Sequence, residues 1–187
     1  MDYQSNAGEL TRALLEFFSL KEKAFLEFTN EVWERLSSGK KILIFGNGGS
    51  ASQAQHFAAE LVNKYMKERP PLKAIALTTD SSILTSTAND SSFDRIFSRQ
   101  VEALGDPGDV ALGLSTSGRS QNVVLALRRA REKGLLTAAF TGKEGSECAS
   151  QADYLFEVPS SSTPRIQEVH LFLLHLLAEE LEERISN

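Results

Sequence analysis

His56 and Glu60 stand four residues apart in a run whose pattern is helical, so both side chains fall on one helix face. An imidazole and a carboxylate on one wall can move protons or ligate a divalent metal. A partly exposed ion pair on a helix surface is the plainer reading of the same spacing. The second concentration of such groups lies near the end of the chain. There, Arg165-Ile166-Gln167-Glu168-Val169-His170 is followed by His175, so all three histidines of the chain sit in these two segments. On a helix, His175 lies about 80° from Gln167 in one direction and His170 about 60° in the other. The two histidines then diverge by about 140°. At most one shares a site with Gln167, unless that helix also meets another subunit, and His170 reads as a structural or interface histidine.

Anion-binding chemistry is suggested just upstream of His56. The stretch Lys41–Leu61 reads KILIFGNGGSASQAQHFAAEL. Ile42-Leu43-Ile44-Phe45 is a short apolar run bounded by glycine, the pattern of a buried parallel strand. The chain turns at Gly46-Asn47-Gly48-Gly49, Ser50 is a good N-cap, and Ala51 to Tyr65 reads as a helix. A strand passing through a glycine turn into a helix N-terminus offers outward backbone N–H groups and a favourable dipole to a phosphate. The turn has no Gly-Lys-Ser/Thr and misses the G-x-G-x-x-G spacing, which argues against a nucleotide or dinucleotide. A second small-residue loop, Ser115-Thr116-Ser117-Gly118-Arg119-Ser120, also follows a strand and precedes a helix. Two such loops point to a phosphate ester, while the plainer alternative is a pair of ordinary tight turns.

The elements that must position these groups follow in order. Gly8 to about Ser37 is helical and very apolar, with room for a kink near Ser19 and for packing on another subunit. After the first strand and helix, Pro70-Pro71 stops the chain and Ala74–Leu77 reads as a strand. Thr78 to Ser92 is a polar stretch containing Asn89-Asp90, and a helix runs from about Phe93 to Leu104. Further strands are expected at Val110–Leu114, Leu136–Phe140 and Tyr154–Val158, with helices at about Gln121–Lys133 and Pro164–Arg184. Alternating strands and helices with right-handed crossovers imply an α/β fold, a doubly wound five-stranded parallel sheet flanked by helices. Ligands then sit outside the carboxyl ends of the strands, where strand order reverses. Both loops lie on that edge.

Composition bounds the rest. The chain has 187 residues, enough for one domain with a sizeable core, and is 41% hydrophobic and 24% charged. Its formal net charge of −5 gives no reason to expect a nucleic-acid or lipid-surface partner. No apolar run reaches a membrane span, and no secretory signal is visible at the N-terminus. Cys148 is the only cysteine, and a cytoplasmic location is the expectation.

GNGGSASQAQHFAAEL, Asn89-Asp90, STSGRS and RIQEVHLFLLH together resemble the sugar-isomerase (SIS) domain superfamily, and within it the phosphoheptose isomerases. The resemblance covers nearly the whole chain, implying a single flavodoxin-like SIS domain over 1–187 with 1–38 as an N-terminal helical extension used in packing and oligomerisation. It implies sugar-phosphate binding by Asn47, Gly48, Gly49, Asn89, Asp90, Ser115, Thr116, Ser117, Ser120 and Gln167. It assigns acid/base catalysis to Glu60 and His175, and a site for one zinc per subunit to His56, Glu60, Gln167 and His175. It also implies a homotetramer with active sites between subunits. Arg119 and Lys64 depart from the family pattern, where asparagine and arginine are frequent.

The expected activity is conversion of sedoheptulose 7-phosphate to D-glycero-D-manno-heptose 7-phosphate. This is the first step toward nucleotide-activated heptose for cell-surface glycans such as lipopolysaccharide. The alternative is a non-catalytic SIS-domain regulator that binds the replication initiator protein. That branch lacks the glutamate and histidine present here as Glu60 and His175.

Overall fold

The computed structural model describes residues 2–142 and 146–186; residues 1, 143–145 and 187 of the expected 1–187 domain lie outside the described residues. The elements run α1 (Tyr3–Ser37), β1 (Ile42–Gly46), α2 (Gly49–Val62), β2 (Ala74–Ala76), α3 (Ser81–Asp90), α4 (Ile96–Leu104), β3 (Val110–Ser115), α5 (Gln121–Glu132), β4 (Leu136–Gly142), β5 (Tyr154–Val158) and α6 (Thr163–Ser186). Short 3₁₀ turns at Phe93–Arg95 and Glu147–Gln151 lead into α4 and β5. The strands form one all-parallel sheet in the order β2-β1-β3-β4-β5. Every residue of β1, β3 and β4 is buried. That accounts for their unbroken apolar runs: strands covered on both faces show no alternation.

Two cores sandwich the sheet. One packs α1, α2 and α6 on Ile42, Ile44, Leu112, Phe140 and Phe156. The other packs α4 and α5 on Leu43, Phe45, Ala111 and Ala139. Phe156 is ringed by Phe17, Phe25 and Phe28 of α1 and Phe140 of β4, with centroids 5.3–6.3 Å away. At about 1.5–3 kcal/mol per buried large side chain, this cluster is a principal anchor of α1. Buried on the same side of α6 as the core leucines is His170. Its Nε2 lies 3.2 Å from the Thr141 carbonyl oxygen. A carbonyl can only accept, so Nε2 carries the hydrogen, and full burial favours the neutral ring.

Several elements differ from the sequence reading. The N-terminal segment is one continuous 35-residue helix capped by Asp2, with no second helix after Ser19. The Ser19 hydroxyl donates back to the Glu16 carbonyl at 2.8 Å, so it hydrogen-bonds within the helix. The polar stretch 78–92 contains a full helix, α3, whose N-cap Asp80 accepts from the Ile83 N–H. Its sequence carries little apolar periodicity because none of its residues is buried. The second strand stops at Ala76, and the third and fourth extend to Ser115 and Gly142. Among the described residues, no helix is long and apolar enough to cross a membrane.

Burial lowers the His170 imidazole from 6.5 to about 4, against a smaller opposing effect of the Thr141 carbonyl. The unfolded chain therefore binds a proton between these values that the folded chain does not, and stability falls as pH drops through that window. The expected loss is up to about 3 kcal/mol, at roughly 1.4 kcal/mol per pH unit. His170→Gln keeps an N–H for Thr141 and should flatten this part of the pH dependence of the unfolding midpoint. A difference between the two proteins that does not change with pH would contradict this account.

Candidate active site

The site is built at the strand-order reversal between β1 and β3. β1 ends at Gly46, and α2 begins after Asn47 and Gly48. Gly48, not Ser50, is the N-cap; its φ is +55°, and no side chain caps the helix. Ser50 instead lies inside the helix and is buried. The Ser50 and Ala51 N–H groups turn back onto the Asn47 carbonyl at 3.0 and 3.3 Å, while the absence of a side-chain cap leaves the positive end of the helix dipole uncovered for an anion. Gly49 leaves room for a side chain from α6. A Cβ there would come within 2.6 Å of the Gln167 amide nitrogen, so the amide of α6 sits directly on the start of α2. The Gln53 amide nitrogen also donates to the Gln167 carbonyl at 2.6 Å.

The two polar loops are tied together across the crevice. Asn47 and Asn122 exchange hydrogen bonds of 2.9 and 2.8 Å between their amides. Asn122, buried in the first turn of α5, was not recognised from sequence. In the hydroxyl loop, the Ser115 hydroxyl accepts from the Gly118 N–H at 3.1 Å and lies 3.1 Å from the Ser120 hydroxyl. These two serines therefore shape the turn. The loop opens on a hollow of about 210 Å³ lined by Thr116, Ser117, Arg119 and, from the opposite side, Ser160, Ser161 and Thr163. The last three were also missed. The signal for them is the hydroxyl run Ser160–Thr163 before Pro164, which marks a second helix N-terminus facing the same space. The hollow is smaller than the roughly 300 Å³ of whole small-molecule pockets, which suits one end of a substrate.

The ionisable wall comes from α2 and α6 together. His56 Nε2 lies 2.9 Å from His175 Nε2 and 3.3 Å from Glu60 Oε1. Of the facing ring nitrogens, one carries the hydrogen and the other accepts, so at least one ring is neutral. The Tyr65 ring lies beside them, 5.8 Å from the His175 ring centroid. Glu60 is 18% exposed and His56 48%, so the group is open to a ligand from one side. The helix-surface pair of His56 and Glu60 has thus become a cluster that includes His175. The Gln167 amide stays at the other end of α2, over Gly49.

Asn89 and Asp90 form the end of α3, and the Asn89 amide donates to Asp90 at 2.8 Å. Asp90 lines a different hollow, with Ser86, Thr87, Ser91, Arg95 and Arg99. Lys64 pairs with Glu68 on the surface.

Among the described residues, no group of three or more His, Cys, Asp and Glu side chains is set out as a metal-holding cluster. The two histidine rings bond each other instead. The donor chemistry nonetheless suits zinc. Two imidazoles on a tetrahedral zinc stand about 3.3 Å apart, a few tenths of an ångström more than here.

Residues 5–142 match the SIS domain family. The phosphoheptose isomerase of Nitratidesulfovibrio vulgaris (strain Miyazaki F) is 52% identical over 93% of this chain and 84% of its own length. That of Aquifex aeolicus is 51% identical over 95% of this chain and 93% of its own. In three dimensions, the phosphoheptose isomerase of Neisseria gonorrhoeae superposes with a TM-score of 0.89 at 40% identity, covering 96% of each chain. The chain belongs to the SIS domain family and, within it, to the phosphoheptose isomerases.

Replacing Asn122 by alanine removes both bonds that join the two loops. The expected cost is about 1–2 kcal/mol of stability, with a raised KM because the crevice is no longer held at one width. Equilibrium denaturation and steady-state kinetics check both. An unchanged KM would mean that the loops hold their spacing without this pair.

Proposed function

We propose that this chain is an aldose–ketose isomerase that interconverts sedoheptulose 7-phosphate and D-glycero-D-manno-heptose 7-phosphate. The observation that carries the reading is the convergence of Glu60, His56 and His175 on one wall, in a chain about half identical to phosphoheptose isomerases. The relatives lend nothing to the regulator alternative.

The reaction moves a proton from C1 to C2 through an enediolate, and a second proton between the two oxygens. It needs a base over the carbons, a carrier for the oxygen-bound proton and stabilisation of the developing oxyanion. Glu60 takes the proton from C1 and returns it at C2. His175 passes the proton from O1 to O2, a task that suits a ring nitrogen with a lone pair available. Donors at the start of α2, with the Gln167 amide beside them, are placed to favour negative charge. The phosphate is assigned to the hollow of Thr116, Ser117 and Arg119, with Ser160, Ser161 and Thr163 on its far side.

Zinc belongs to the proposal as well. His56, Glu60 and His175 would hold it; the Gln167 amide, expected as a fourth ligand, lies instead against Gly49 at the other end of α2. When bound, it would act as a Lewis acid on the substrate oxygens. A metal-bound carboxylate is a weaker base, so Glu60 serves as ligand or as base, not as both in one step. A cytoplasmic homotetramer supplying heptose for cell-surface glycans completes the reading. Leu15 and Leu20 on α1 are about 70% exposed and Phe172 on α6 is 42% exposed, apolar surface of the kind a subunit interface covers.

Incubation with sedoheptulose 7-phosphate in D₂O should give aldose product with deuterium at C2, followed by NMR. Glu60→Gln and His175→Gln should each lower kcat by at least about 10²-fold, with the fold retained. Normal turnover in either variant would remove that residue from the mechanism. Ser117→Ala should raise KM by about 10-fold through loss of one hydrogen bond to a charged group. An unchanged KM would move the phosphate elsewhere. Metal analysis of the purified protein should find about one zinc per chain, reduced in His56→Ala. A zinc content unaffected by that change would place the metal at another site.

A further inference from the structure

Glu60 and His175 lie on different helices, so their separation depends on what ties α2 to α6 beyond the site. The tie is the segment 63–69 that leaves α2. Glu182 stands seven residues after His175, about two turns along α6 and within about 20° of the same direction. It is 2% exposed, and its carboxylate accepts the backbone N–H groups of Tyr65, Met66 and Lys67 at 2.9, 2.8 and 2.9 Å. Arg69 lies against it, with Nε 3.3 Å from Glu182 Oε1 and both side chains at most 3% exposed. The guanidinium then reaches back to the end of α2. Nη2 donates to the Glu60 carbonyl at 2.6 Å, and Nη1 donates to the Leu61 carbonyl at 2.8 Å. Carbonyls of a last helical turn have no partner within the helix; Arg69 supplies a donor to both, and the Leu72 N–H adds a second to that of Leu61 at 3.0 Å.

We propose that Arg69 and Glu182 are positioning residues that set the distance between the Glu60 carboxylate and the His175 imidazole. The proposal rests on the reading of those two as the acid–base pair. A buried ion pair is a poor device for stability alone, since apolar side chains of similar size commonly serve as well. Its particular contribution is geometry. One planar fork fixes the backbone at Glu60, and one carboxylate fixes three consecutive N–H groups to α6. One of those groups is the N–H of Tyr65, whose ring lies beside His175, so the strap touches both halves of the pair. Burial raises the Glu182 carboxyl, but the three N–H donors and Arg69 outweigh it and hold the group below its ordinary value, as an acceptor must be.

Arg69→Lys keeps the charge but cannot fork onto two carbonyls. Glu182→Gln keeps an acceptor but loses the charge. Each is expected to lower kcat about 10- to 100-fold, the scale of a misplacement near 1 Å, while KM stays within about two-fold because the phosphate hollow lies elsewhere. Glu183→Gln, which breaks only the neighbouring surface pair with Lys67, should keep wild-type kinetics. Full kcat in both folded variants overturns the proposal, and so does a raised KM at unchanged kcat. If Glu182→Gln does not fold, Arg69→Lys decides; if neither folds, the pair is a structural support and the proposal fails. The acid–base reading is judged separately, by Glu60→Gln in the same assay. An inactive Glu60→Gln beside a fully active Arg69→Lys removes only the positioning role.

Discussion

Strand order is the constraint on which the rest depends. In an all-parallel sheet ordered β2-β1-β3-β4-β5, the chain leaves β1 toward one edge and β3 toward the other. The turns after these neighbouring strands part, and a crevice opens between them at the carboxyl ends. The paired amides of Asn47 and Asn122 span it, and the N-termini of α2 and α5 flank it. Handedness places α2 on the same face as α6. From that single topological fact come the anion-friendly helix ends, the facing hydroxyl runs and the meeting of His56 with His175.

α2 acts as a common rod for two kinds of chemistry. Its start is opened by Gly48 and Gly49, and the Gln167 amide sits against Gly49. Its middle carries His56 and Glu60, and its last carbonyls are held by Arg69. The proposed phosphate hollow, lined by Thr116, Ser117 and Arg119 rather than by α2, is a separate place from the ionisable wall. Such an arrangement suits a substrate with its charge at one end and its reacting carbonyl at the other. The burial figures agree: side chains that shape the turns, such as Ser115 and Asn122, are buried, while His56 and Ser117 remain open to a ligand.

Much of the fold was legible because buried parallel strands advertise themselves. Ile42–Phe45 and Val110–Leu114 needed no context beyond their own apolar runs. The misreadings have physical causes. Ser50 has the residue type of an N-cap, but glycines at 48 and 49 let the helix start two residues earlier. Residues 81–90 lack the apolar stripe of a helix because α3 buries none of its side chains. Ser19 looked like a break in α1, yet its hydroxyl bonds within the helix, and the continuous aromatic packing carries the helix past it.

The sequence by itself determined what depends on neighbours along the chain: the strands, most helices, the shared face of His56 and Glu60, and the two small-residue loops. These follow from unbroken apolar runs, from the 3.6-residue period of helices and from the conformational freedom of glycine. Only the tertiary structure decided the rest. It set His175 rather than His170 against α2, sent His170 into the core, and brought Ser160, Ser161 and Thr163 to face Ser117. It also joined Asn47 to Asn122 and Glu182 to the segment beyond Glu60. Those pairs are separated by tens to more than a hundred positions, and no local period relates them. Their distances are set by how helices pack on a sheet, a property of the whole core.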